Sequence, residues 1–198
     1  MLNKTLIEEF KKSTGYNLNE ISDYNVDKLV NFLMASHRSF LNKSIPKIEQ
    51  NFLLIIKHYQ NNNNLKIILN LFIKFQIDFM EHIQIEEKTI LPYSKTIYKA
   101  SIDSSIQTLL LVHFSKYSIN DFLNNHKNTE CFLSEILYLL SREVDLKNEP
   151  LYNILTKQVR QLDDEIKTHA WVEDNILVNK VRAIEIAVNN FIQDSKNS

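Results

Sequence analysis

Residues 72–86 run Phe72-Ile73-Lys74-Phe75-Gln76-Ile77-Asp78-Phe79-Met80-Glu81-His82-Ile83-Gln84-Ile85-Glu86. Phe72, Phe75, Phe79, His82 and Glu86 recur in steps of three and four, the period of one face of an α-helix. The stripe stays apolar until it ends on an imidazole and a carboxylate four residues apart. Four residues is just over one turn, so both groups project from the face that carries the phenylalanines. A second stretch repeats the pattern, with Leu155, Val159, Leu162, Ile166, His169, Glu173 and Leu177 on one face. A single His/Glu pair at this spacing is most often a solvated surface pair. Here the neighbours oppose that reading, because both pairs sit on core-facing stripes. A carboxylate on such a stripe needs a partner, and a metal ion is one of few that suffice.

Around these two stretches the period is helical almost everywhere. A short leading helix is expected over residues 1–13, closing near Gly15. The first long helix spans about 26 to 60, with Asp23 or Asn25 as its cap and a kink or break at Pro46. Asn61 to Asn64 reads as a turn. A second helix covers about 65 to 98, bent or shortened by Pro92. Asp103 and Ser104 offer caps to a third, over about 104 to 125. After a break at Asn124 to Thr129, residues 130–144 form a further helix, and Pro150 starts the last one, to about 190. The expected fold is all-α: an up-down-up-down four-helix bundle with an extra helix between the third and fourth bundle helices. The bundle domain covers residues 26–190, after an N-terminal extension over 1–25 and before a loose tail over 191–198.

Bulk composition agrees and excludes other classes. The chain has 198 residues, which suits one domain. One Gly and three Pro are too few for a sheet with many tight turns. A net charge of -1 offers no basic face for nucleic acid. Cys131 is the single cysteine and can form no internal disulfide, which fits a reducing cytoplasm. The start, MLNKTLIEEFKKS, carries charges throughout and has no apolar signal region. No apolar run approaches the roughly 20 residues of a membrane span. A soluble cytoplasmic protein is therefore expected, a monomer or a dimer.

Two more histidines lie on apolar stripes. His37 continues Leu29, Leu33 and Leu41, and His113 continues Ile106, Leu109 or Leu110, and Tyr117. Height supports both. With a hairpin at Asn61 to Asn64, His37 falls within about 10 Å of His82 and Glu86 along the axis. His113 and Glu86 lie at similar heights about a turn near residue 101. The same count removes His58, about 31 Å from His37 along a continuous helix. His126 sits in a polar break and is expected to be solvated. Glu87 and Asp174 follow the two carboxylates as supporting groups or as part of a solvated face. The candidate site is thus His37, His82, Glu86, His113, His169 and Glu173. Four imidazoles and two carboxylates suit two first-row transition ions, with iron, zinc, copper and nickel favoured over magnesium or calcium.

The two His-x-x-x-Glu motifs on separate helices, with single histidines on the other two, resemble the hemerythrin-like di-iron domain. Within it the pattern is closest to the repair of iron centres proteins, which act in iron–sulfur cluster repair. Those carry His-x-x-x-Glu-Glu-x-x-Leu-Phe-Pro and His-x-x-x-Glu-Asn-x-x-Leu-Phe-Pro. The first is matched by His82 to Pro92, ending Ile90-Leu91-Pro92, and the second by His169 to Asn179, ending Leu177-Val178-Asn179. The first-helix ligand of the family lies in a stretch like Ser36-His37-Arg38-Ser39-Phe40, ahead of Ile45-Pro46. Its third-helix histidine matches His113, and a further histidine near the end of its first helix matches His58. The likeness covers about residues 26 to 180. Three departures stand out. His37 is one residue early relative to Ile45-Pro46, the last motif lacks its Pro, and residues 1–25 hold no counterpart of the Cys-Cys module common in the repair proteins.

The resemblance implies two iron ions, bridged by Glu86 and Glu173 with an oxo or hydroxo group and capped by His37, His82, His113 and His169. It implies repair of, or iron supply to, iron–sulfur clusters under nitrosative or oxidative stress. Oxygen or nitric oxide would be the small ligand, iron–sulfur proteins the clients, and nitric oxide reduction a secondary redox role. The alternative is an oxygen or nitric oxide carrier or sensor without turnover. A metal-free helical interaction protein, its His/Glu pairs simply hydrogen-bonded in the core, is the third reading.

Overall fold

The computed structural model describes residues 17–103, 118–119 and 131–197, and among them the secondary structure is entirely helical, with no strand. The helices are α1 (Leu18–Ser22), α2 (Val26–Ser39), α3 (Ile45–His58), α4 (Asn63–Lys88), α5 (Ile90–Ile102), α6 (Cys131–Arg142), α7 (Pro150–Val172) and α8 (Val178–Asn197). No helix among the described residues is long and apolar enough to cross a membrane. The expected leading helix over 1–13 lies outside the described residues, as do all but 118–119 of the expected third helix. The further helix over 130–144 is present as α6. At the end of the chain α8 runs to Asn197, past the expected end near 190.

Local chemistry sets the boundaries. Asn25, not Asp23, caps α2: its Oδ1 accepts from the Lys28 N–H at 2.9 Å, while Asp23 closes α1. Asn62 caps α4, taking the Leu65 N–H at 3.1 Å. The break expected at Pro46 takes a specific form. A π-helical turn, Phe40–Ser44, joins α2 to α3, and the Ile45 N–H reaches back five residues to the Phe40 carbonyl. Pro46 then sits in the first turn of α3, where its missing N–H costs little. Pro92 acts differently. Its ring conflicts with the carbonyl four residues back, on Lys88, and α4 ends there. Thr89 takes φ -120°, ψ -82°, and α5 begins at Ile90.

Two compact units divide the described residues, and the divisions fall inside α2, α4 and α7. The first holds 17–34, 84–103, 118–119 and 169–197. Its core gathers Leu18, Ile21, Leu29, Leu33, Ile90, Leu91, Tyr93, Ile97, Leu177 and Val181. Here α5 packs on α8, and the Tyr93 hydroxyl donates to Glu185. The second holds 35–83 and 131–168. Its core is aromatic: Phe52 and Phe72 stand 5.4 Å apart by ring centroid, Phe72 and Phe75 5.9 Å, and Phe75 stacks on Phe79 at 5.3 Å. Each of these side chains contributes about 1.5–3 kcal/mol by burial. Asn62 and Asn64 both donate to the Glu143 carboxylate at 2.8 Å, which ties the start of α4 to the end of α6.

Candidate metal centre

Glu86 occupies the last turn of α4, where the stripe Phe72, Phe75, Phe79 places it on the buried face. His169 lies near the end of α7, one turn beyond Ile166 on the stripe Leu155, Val159, Leu162. Glu173 opens a second π-helical turn, Glu173–Leu177, between α7 and α8. Its carbonyl accepts from the Val178 N–H five residues on. Both carboxylates are 1% exposed, and His169 is 6% exposed.

Two carboxylates in an apolar surround repel each other and resist ionisation. The Glu173 carboxyl is accordingly held well above the usual carboxylate range, first by burial, then by the charge of Glu86, a hydrogen bond with Glu86 and the charge of Asp174. Only a shared proton or a cation relieves such a pair. The surrounding donors favour a cation. His169 Nε2 stands 4.0 Å from Glu86 Oε2, beyond a hydrogen bond. That separation is within the ~4.2 Å spanned by two ligands each about 2.1 Å from one ion. His37 is also buried, at 1% exposed. Glu86 and His169 thus offer buried donors that could hold a metal ion. Imidazole and carboxylate donors serve iron, zinc and several other first-row ions, so the residues fit a metal without naming it.

The other expected residues fall differently. His82 lies one turn before Glu86 on α4. Its ring is half-buried and stacks on Phe79 at 6.3 Å. His113 lies outside the described residues. His58 ends α3 on the surface, its ring edge-on to Tyr59 at 4.9 Å. Glu87 and Asp174 are exposed, as a solvated face would have them.

Sequence reasoning missed the π-helical turn at Glu173. One signal was available: Asn175 and Asn179 are poor mid-helix residues. The Asn175 amide donates to the Trp171 carbonyl at 3.0 Å, and the Asn179 amide to the Asn175 carbonyl at 2.8 Å. These side chains bond carbonyls along the widened turn, and π-helical turns of this kind concentrate at functional sites. In comparisons with known proteins, no family model, no curated protein and no solved structure matches this chain.

Proposed function

We propose that this chain is a cytoplasmic non-haem di-iron protein of hemerythrin type, an up-down-up-down four-helix bundle. Its role is to repair, or supply iron to, iron–sulfur clusters under nitrosative or oxidative stress. The observation that supports a metal centre best is the buried pair Glu86 and Glu173, met by the imidazole of His169. The step from metal to iron, and from iron to repair, rests on the two His-x-x-x-Glu motifs and their resemblance. On this reading His37, His82, Glu86, His113, His169 and Glu173 would hold the two ions. When bound, the iron pair would supply one-electron chemistry and open positions for oxygen or nitric oxide.

The chain's own residues do the remaining work. Glu173 releases its proton when a cation enters, which couples loading to pH. His169 presents Nε2 toward Glu86. Phe75 and Phe79 stack along α4 up to the His82 ring. The widened turn at Glu173 sets the height at which its carboxylate meets Glu86.

Metal analysis after expression with added iron tests this reading. About two irons per chain, the stoichiometry of a di-iron bundle, with an oxo-to-iron absorption band, is the expected result. A fully folded chain that stays metal-free overturns it. His169→Ala and Glu173→Ala should each lose most of the iron. Mixing the loaded protein with a damaged iron–sulfur enzyme then separates the roles: recovered activity marks repair, and reversible gas binding without recovery marks a carrier.

A further inference from the structure

We propose that Tyr93 and Glu185 form a proton-coupled redox site, in which the phenol yields one electron to an oxidant while its proton passes to the neighbouring carboxylate. Tyr93, on α5, is 2% exposed, and Glu185, on α8, is 9% exposed. The Tyr93 hydroxyl donates to Glu185 Oε1. The Ile119 N–H donates to the same oxygen at 3.4 Å.

A buried phenol resists oxidation because the radical cation it would become is a bare charge in a poor solvent. That radical cation is a strong acid, so a base within hydrogen-bond reach removes the obstacle. Tyr152 provides the contrast within this chain. It is equally buried at 3% exposed, but its hydroxyl donates to the Leu140 carbonyl, which cannot take a proton. At Tyr93 the balance is simple. One electron leaves the ring for a one-electron oxidant, such as an oxidised transition-metal ion or a peroxide-derived radical. The O–H bond breaks and the proton bonds to Glu185 Oε1. The products are a neutral phenoxyl radical and a neutral carboxylic acid, so the pair passes from one buried negative charge to none. A thiol or ascorbate donor returns the electron, and the proton moves back.

The pair is also well placed. The Thr89 N–H bonds the Ile85 carbonyl, and the Tyr93 N–H bonds the Thr89 carbonyl. Helical rise across that stretch puts Tyr93 roughly 10 Å from Glu86 along the chain axis. Tyr24, Tyr98 and Trp171, all oxidisable and partly exposed, pack against the same apolar cluster. An oxidising equivalent reaching this core is thereby drawn off to tyrosine.

The test needs no iron, so its failure is distinct from failure of the di-iron reading. The full-length chain is oxidised by photogenerated tris(bipyridine)ruthenium(III), and radicals are followed by electron paramagnetic resonance. A long-lived tyrosyl signal is expected among the eight tyrosines. Tyr93→Phe should lose the greater part of it, Glu185→Gln should lose most of its yield and lifetime, and Tyr152→Phe should leave it unchanged. An undiminished signal in Tyr93→Phe or Glu185→Gln overturns the proposal. Should Glu185→Gln fail to fold, the wild-type radical decides. Electron–nuclear double resonance must then show an exchangeable proton hydrogen-bonded to the radical oxygen, and its absence overturns the proposal.

Discussion

Glu173 is a residue whose burial makes sense for ligation and little sense for stability. It shares an apolar site with a second carboxylate, and burial beside that charge holds its carboxyl well above the usual range. Glutamine keeps the shape and a hydrogen-bond donor for Glu86 but removes the charge. Metal-free Glu173→Gln should therefore melt no lower than the metal-free parent, while binding far less iron. Paired thermal melts and metal analyses check both halves, and this opposition is the usual mark of a functional residue. Tyr152 makes the complementary case. Burial, then the charge of Glu143, pushes its phenol up to about 12 from 10.0. Between those values the folded chain holds a proton that the unfolded chain has lost. The stabilisation is whole below pH 10 and disappears as pH rises toward 12. Tyr152→Phe should lack that alkaline loss and should cost about 0.5–1.5 kcal/mol at neutral pH, from the bond to the Leu140 carbonyl. Denaturant melts at pH 7 and across the alkaline range measure both.

Among the elements, caps and prolines set boundaries that the hydrophobic period leaves open. Asn62 both caps α4 and binds Glu143 on the far side of the turn. Asn62→Ala should cost about 1 kcal/mol, seen as a lower denaturant midpoint at unchanged slope. Pro92 ends α4 one turn early and leaves Thr89 outside helical geometry. With Pro92→Ala, α4 and α5 can join, and amide exchange at residues 89–91 should slow relative to the parent. Exchange as fast as before would show that something other than the proline holds the break. The two π-helical turns differ in legibility for the same reason. The one at Phe40–Ser44 precedes a proline that announces an irregularity. At Glu173–Leu177 only two asparagines hint at one, and asparagine at mid-helix has many outcomes.

At the scale of the whole molecule, metal binding and folding are one equilibrium. An ion that binds the folded chain and not the unfolded one adds about 2.7 kcal/mol at a free concentration of 100 times its Kd. The melting temperature should therefore rise with added ferrous iron, fall back with chelator, and stay flat in His169→Ala. A parent protein whose melting temperature ignores iron would have no iron centre.

The sequence by itself determined the helical class and the two stripes that carry His82, Glu86, His169 and Glu173. These follow from spacing and rise alone, since side chains three and four apart must share a helix face. The tertiary structure alone decided that Glu86 meets Glu173 and His169. It also alone brought Tyr93 to Glu185, 92 residues away in the chain. Period shows which way a side chain points on its own helix. Contact between helices depends on rotation and height, and a widened turn or a proline break shifts both by amounts the period does not carry.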